Sequence, residues 1–302
     1  MMKISGKIDE VRAQVKEWKK QGLSVALVPT MGYLHEGHKS LMERARKEND
    51  KVVVSIFVNP MQFGPNEDLE SYPRDLDRDS KICEAAGVDL IFRPEVEEMY
   101  GPDFHAYVDM HTLPEKLCGA SRPVHFRGVQ TVVSKLFHIV PADRAYFGQK
   151  DAQQLAIIRR MVIDLNFDIE IIGCPIIREE DGLAKSSRNT YLSEEERKQA
   201  VILNQSLNAA MDAISAGEKA HSSYRPHLLL HLLPPDQFRN IRKSVSAVPS
   251  SEADLYRWFP PMHIDMPDMV HQGSFPEPQR IRHLPGLQIR STYWKFSNDL
   301  LK

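Results

Sequence analysis

SVALVPTMGYLHEGH, residues 24–38, opens on an apolar run from Ser24 to Val28 that reads as a buried strand and is expected to stop at Pro29. The chain then turns through Thr30-Met31-Gly32 and delivers His35 and His38 to the mouth of a helix running to about Glu48. A turn of this kind gathers backbone N–H groups without intrahelical partners and the positive end of a helix dipole, which together favour an anion. Gly37 would let a phosphate approach the backbone without a Cβ in the way. Two imidazoles could donate hydrogen bonds to phosphate oxygens and stabilise charge that grows at phosphorus. The competing reading makes one histidine a helix cap and the other a solvated surface residue. A zinc site of the H-E-x-x-H kind needs spacing four, which His35 and His38 lack.

Outward from this stretch the same traffic repeats. Upstream, IDEVRAQVKEWKKQG puts Ile8, Val11, Val15 and Trp18 at helical spacing and closes on Gly22. Downstream come the strand KVVVSIFV, a helix ending near Gly87, the strand DLIF, the helix GVQTVVSKLFHIV, the strand RAYF, the helix DAQQLAIIRRMVIDLN and the strand FDIEIIG. Near-continuous Val, Ile and Phe strands between amphipathic helices predict an α/β fold, a Rossmann-like parallel sheet with helices on both faces. Such sheets bind ligands beyond the carboxyl ends of their strands, where the strand order reverses. Residues 29–38, 59–64 and 148–154 would therefore converge on one crevice.

Each of these segments, and one later loop, offers polar chemistry with a plainer alternative. Asn59 and Gln62 are neutral donors and acceptors suited to a hydroxyl or carboxylate, or else simple turn formers beside Pro60 and Gly64. Lys150 could meet phosphates, with Asp151 and Gln154 beside it; a solvated lysine with Asp151 as a helix cap is the alternative. Lys185, Ser186, Ser187 and Arg188 would make a closing clamp on a triphosphate, or a polar surface loop before the helix that Ser193-Glu194-Glu195-Glu196 caps. HFRG, with His125 and Arg127, reads as the start of a helix with a substrate contact.

At 302 residues, with 39 Lys plus Arg against 41 Asp plus Glu, the chain has room for two domains and no basic excess for nucleic acid. The three cysteines, Cys83, Cys118 and Cys174, have no metal-ligand spacing and fit a reducing cytoplasm, and no apolar run is long enough to cross a bilayer. No protein metal site is expected. After Lys219 the character changes: ten of the 20 prolines and six of the 12 histidines lie beyond residue 220, and neither helical nor strand periodicity persists.

PTMGYLHEGH, FVNPMQFG, HFRGVQTVV, FGQKDAQQ and DGLAKSSRN stand in the order and approximate spacing of the pantothenate synthetase family, which this chain resembles over roughly residues 1 to 200. The first motif is similar to the HIGH element of the nucleotidyltransferase superfamily, and KSSR to its flexible second motif. The resemblance implies ATP-dependent joining of pantoate to beta-alanine through a pantoyl adenylate, with magnesium, in a homodimer. It implies that His35, His38, Lys150, Ser186, Ser187 and Arg188 hold the phosphates and carry catalysis. Met31, Gly37, Gly148 and Asp151 would shape the ATP site, Gln62 and Gln154 would grip pantoate, and Asn59 would lie nearby. Lys185 stands where many relatives carry an apolar residue and reads as a tolerated change whose ammonium reaches solvent. The domains implied are residues 1–185, binding nucleotide and pantoate, and a lid region over 186–302 that departs from the family after about 220. A shifted reading frame and a lineage-specific domain both account for that departure, and translating the gene's other two frames separates them. Rival functions are a non-catalytic ATP- or pantoate-binding homologue and a nucleotidyltransferase with another small acceptor.

Overall fold

The computed structural model describes residues 2–65 and 67–215. Contacts divide the chain after Gln205, within the last described helix, and the fold below is that of the first unit together with that helix. The expected departure after residue 220 lies outside the described residues.

Six parallel strands form one sheet: β1 (Lys3–Ser5), β2 (Val25–Thr30), β3 (Lys51–Ile56), β4 (Leu90–Phe92), β5 (Arg144–Gly148) and β6 (Glu170–Cys174), in the order β1-β4-β3-β2-β5-β6. The helices are α1 (Ile8–Lys20), α2 (Glu36–Glu48), α3 (Leu76–Ala85), the single turns α4 (Val96–Met99) and α5 (Cys118–Ser121), α6 (His125–Ile139), α7 (Ala152–Asp164) and α8 (Glu194–Ser215). From β2 the chain builds outward through β3 and β4, then returns to lay β5 and β6 on the other side. The order therefore reverses between β2 and β5, as the α/β reading requires of a ligand crevice.

Strand alternation explains the continuous apolar runs. On one face Val25, Leu27, Val53, Phe92, Ala145 and Phe147 pack with α1, α6 and α7; on the other Ala26, Val28, Val52, Val54, Ile91 and Tyr146 pack with α2 and α3. Both faces are covered, so the central positions of β2, β3, β4 and β5 are mostly apolar on either side, with polar residues chiefly at the strand ends.

Two sequence expectations are corrected. β2 does not stop at Pro29 but pairs with β3 through Thr30. The carbonyls of Ser24 and Thr30 accept from Lys51 N in β3 and Phe57 N just past it, and that of Val25 accepts from Asp143 N beside β5, so odd-numbered residues of β2 face β5. Pro29 faces that side beyond Leu27, where the ladder with β5 has ended, and its missing N–H breaks no pairing. The second correction is β1, which the sequence reading did not assign. It is three residues long, and its one aliphatic residue, Ile4, is 50% exposed, so it has no buried alternation to detect.

α6 packs on a short 3-10 turn, Pro60–Gln62, at Gly128. A Cβ there would lie 2.3 Å from the Met61 carbonyl oxygen and 2.6 Å from Gln62 Cα. Backbone cannot yield as a side-chain tip can. Gly128→Ala is therefore expected to destabilise the fold by about 1–3 kcal/mol or more, read as a lowered denaturation midpoint; unchanged stability would mean that α6 and the turn do not touch.

Candidate active site at the sheet switch point

The turn after β2 is made by left-handed backbone at Gly32 (φ 89°) and Tyr33 (φ 50°). Asp79, 1% exposed on α3, holds it: its carboxylate accepts from Tyr33 N at 2.8 Å and Leu34 N at 2.7 Å. Burial nevertheless raises the Asp79 pKa, outweighing the two N–H bonds. The sequence reading did not single out Asp79. Its signal was a charge inside the apolar stripe of Leu76, Cys83 and Ala86.

The turn then hands the two histidines to α2. His35 is the N-cap, and its Nδ1 accepts from Gly37 N at 3.1 Å. His38 Nδ1 accepts in return from His35 N at 3.3 Å, and the rings lie 4.1 Å apart. The plain alternative holds in one half: His35 is a helix cap, but His38 is not a solvated residue, since it caps in return and both rings are half-buried. The expectation of a free N–H at Gly37 is corrected, because His35 already occupies it. A Cβ on Gly37 would press against the His35 ring at 2.8 Å, so the glycine makes room for the cap.

An Nδ1 that accepts carries no proton, so each ring is neutral and holds its hydrogen on Nε2. Electrostatics agree. Burial, then the Lys150 charge, lowers the His35 pKa to about 4. Burial, then His35 and Lys150, lowers that of His38 to about 3. Lys150 thus lies within electrostatic reach of both rings, and Asp151 within reach of His38. They arrive on the 3-10 turn Gln149–Asp151 that follows β5. At Gly148, which caps that turn, an added Cβ would meet nothing closer than 3.9 Å, so protein packing does not demand glycine there.

Two further segments close on the turn. From residues 183–191, Ser187 Oγ donates to Tyr33 O at 3.3 Å and Lys185 Nζ pairs with Glu36 at 3.2 Å. The Lys185 ammonium therefore meets the exposed Glu36 carboxylate at the α2 N-terminus, while its side chain is half-buried. Ser186 Oγ accepts from Arg188 N, and the Arg188 guanidinium forms a two-point pair with Asp68 at 2.9 Å and 2.9 Å. From the other side, Gln62 Nε2 reaches Met31 Sδ at 3.1 Å, tying the expected pantoate residue to the histidine turn.

Asn59 is corrected. It is 1% exposed, its amide donates to Gln62 Oε1 and Gly128 O, and its Oδ1 accepts from Met61 N and Tyr100 Oη. Every donor and acceptor it owns is used, so it orients Gln62 and has none to offer a substrate. His125 likewise contacts the Gln62 carbonyl at 3.0 Å, whereas Arg127 is exposed and lies over Tyr107. Of the adjacent glutamines, Gln153 is spent on the backbone of Leu113, Lys116 and Cys118, while Gln154 is half-buried one position on. Arg122, in a two-point pair with Glu67 and 3.5 Å from the Gln62 carbonyl, was also missed by sequence reading, because its partner is 55 residues away.

The histidine geometry fixes a pH response. Both folded-state pKa values lie below the unfolded value of about 6.5, so the stability from neutral caps is complete above pH 6.5 and is lost as pH falls toward 4 and 3. Imidazole ¹⁵N spectra should show the Nε2–H tautomer for His35 and His38, with midpoints well under 6.5. A midpoint near 6.5 for either ring would contradict the reciprocal cap.

The model of the family described as pantoate-beta-alanine ligase matches residues 3–257 and so runs past residue 220, where the sequence departure was expected. The chain is 69% identical over 218 residues to pantothenate synthetase of Enterococcus faecalis, covering 72% of this chain and 77% of that protein. Among solved structures it is similar to pantothenate synthetase of Thermus thermophilus, at TM-score 0.72 and 48% identity over 79% of this chain and 83% of that one. It is also similar to the Francisella tularensis pantoate-beta-alanine ligase complexed with beta-gamma ATP and beta-alanine, at TM-score 0.64 and 38% identity over 68% of this chain and 78% of that one. A family match across most of the chain and relatives at this identity agree with the geometry: the chain belongs to the pantoate-beta-alanine ligase family.

Proposed function

We propose that this ligase joins pantoate to beta-alanine through a pantoyl adenylate, using ATP and releasing AMP and pyrophosphate, with the site between the carboxyl ends of β2 and β5. The observation that carries this reading is the pair of neutral, mutually capped imidazoles beside Lys150, faced by the 183–191 loop.

The pantoate carboxylate attacks the α-phosphorus of ATP, the bond to the pyrophosphate oxygen breaks, and negative charge grows on the phosphoryl oxygens. The Nε2–H groups of His35 and His38 are donors whose orientation is fixed before the reaction by their Nδ1 caps, which is the condition for stabilising developing charge without reorganisation. Lys150, Ser186, Ser187 and Arg188 hold the phosphates, Met31, Gly37, Gly148 and Asp151 bound the nucleotide, and Gln62 and Gln154 hold pantoate. The beta-alanine amine then attacks the activated carbonyl, forming the C–N bond as AMP leaves and the amine loses its proton. No group of three or more His, Cys, Asp or Glu able to hold a metal occurs among the described residues. Magnesium, when bound with ATP, would supply charge neutralisation for the phosphates, which Lys150, Ser186, Ser187 and Arg188 would hold.

A reducing cytoplasm is supported by three buried free cysteines, and no described helix is long and apolar enough to cross a membrane. For the homodimer we propose the apolar groove of about 530 Å³ at the amino ends of β5 and β6, lined by Phe104, Phe137 and Phe167, with Tyr107 53% and Leu165 50% exposed.

Pyrophosphate release from ATP, magnesium and pantoate tests the chemistry: it should be sustained only when beta-alanine is added, and release independent of pantoate would refute the route. His38→Gln keeps an acceptor at the capping position but loses the imidazole donor, and should slow single-turnover adenylate formation by on the order of 10²-fold with stability retained. Gln62→Ala should weaken pantoate binding while leaving ATP affinity largely intact. Leu165→Glu should lower the sedimentation mass from dimer to monomer; an unchanged dimer would place the interface elsewhere.

A further inference from the structure

Arg188 is assigned to the phosphates, yet in the structure its guanidinium is already taken. Asp68 receives Nε and Nη2 at 2.9 Å each, in the fork geometry a phosphate would also accept. Both side chains are half-buried, at 31% and 25% exposure, and the guanidinium stands 5.7 Å from the Tyr72 ring. The contact is one of several between residues 67–72 and the loops around the site. Glu67 holds Arg122 by a second two-point pair, and Tyr191 Oη reaches Ser71 O at 3.5 Å. The same loop's other cation, Lys185, is likewise held by the Glu36 carboxylate.

We propose that Asp68 is a placeholder for the ATP phosphate on Arg188, a positioning residue that releases the guanidinium when the triphosphate arrives and thereby couples nucleotide binding to the 67–72 segment. This rests on the assignment of Arg188 to phosphate. A polyanion carries more charge than one carboxylate and presents the same pair of acceptors, so exchange is favoured, but binding must first break the existing pair. The apparent affinity is reduced by the fraction of molecules in which Arg188 is already free. Asp68 also keeps the guanidinium aimed and paired while it is half-buried, where an unpaired charge would be unfavourable.

The test is a double-mutant cycle read as the dissociation constant of α,β-methylene-ATP, which cannot be cleaved at the reacting bond. Arg188→Ala should weaken binding; no weakening would refute the phosphate assignment itself. Asp68→Asn should tighten binding, about tenfold if Arg188 is paired nine-tenths of the time, and should have no effect in the Arg188→Ala background. Damage to a merely structural pair would weaken binding instead. Unchanged or weaker binding in Asp68→Asn, with Arg188→Ala still impaired, would overturn the placeholder role. Equal tightening in both backgrounds would overturn it too, by revealing general charge repulsion. In the unaltered protein, the analogue should speed amide exchange at residues 67–72, and slowed or unchanged exchange would count against the proposal whatever the variants do.

Discussion

The carboxylate of Asp79 closing on the N–H groups of Tyr33 and Leu34 is the constraint from which the site is built. Tyr33 stands in the left-handed region, which a side chain rarely adopts without support. Two hydrogen bonds supply that support and satisfy the buried N–H of Leu34 and the half-buried one of Tyr33. They also fix the direction in which the chain enters α2, and hence where the first-turn side chains stand. A residue on a surface-facing helix of the sheet thus decides the geometry of a turn 46 positions earlier.

From that turn, the histidines serve two purposes with one ring each. Nδ1 caps the helix, and capping makes Nε2 a donor of known direction. Lys150, brought by β5 from the other side of the strand-order reversal, reinforces neutrality by making a second positive charge unfavourable. The arrangement offers hydrogen-bond donors without adding imidazolium charge, and the positive charges near it are those of Lys150 and Lys185.

Around this centre most polar groups are committed to one another. Asn59 and His125 hold Gln62; Gln153 holds the 113–118 backbone; Glu67 and Asp68 hold Arg122 and Arg188. The division between residues that hold and residues that remain for a ligand follows from counting donors and acceptors, which residue type alone does not reveal. Asn59 and Gln62 look equivalent in FVNPMQFG. Only one of them has its whole bonding capacity spent on protein.

The sequence by itself determined the α/β class, the parallel sheet and the segments that meet at its carboxyl edge, because uninterrupted apolar strands between amphipathic helices have few other ways to be buried. It also determined the family, through motifs whose order survives at 69% identity to a relative. Tertiary structure alone decided what depends on partners distant in the chain: β1, whose three residues matter only beside β4; the continuation of β2 through Pro29, allowed because its pairing with β5 stops at Leu27; the neutral tautomers of His35 and His38; and the pairing of Arg188 with a carboxylate 120 residues away. Periodicity records which way a residue faces. Hydrogen-bond partners and charge neighbours exist only once the chain has folded.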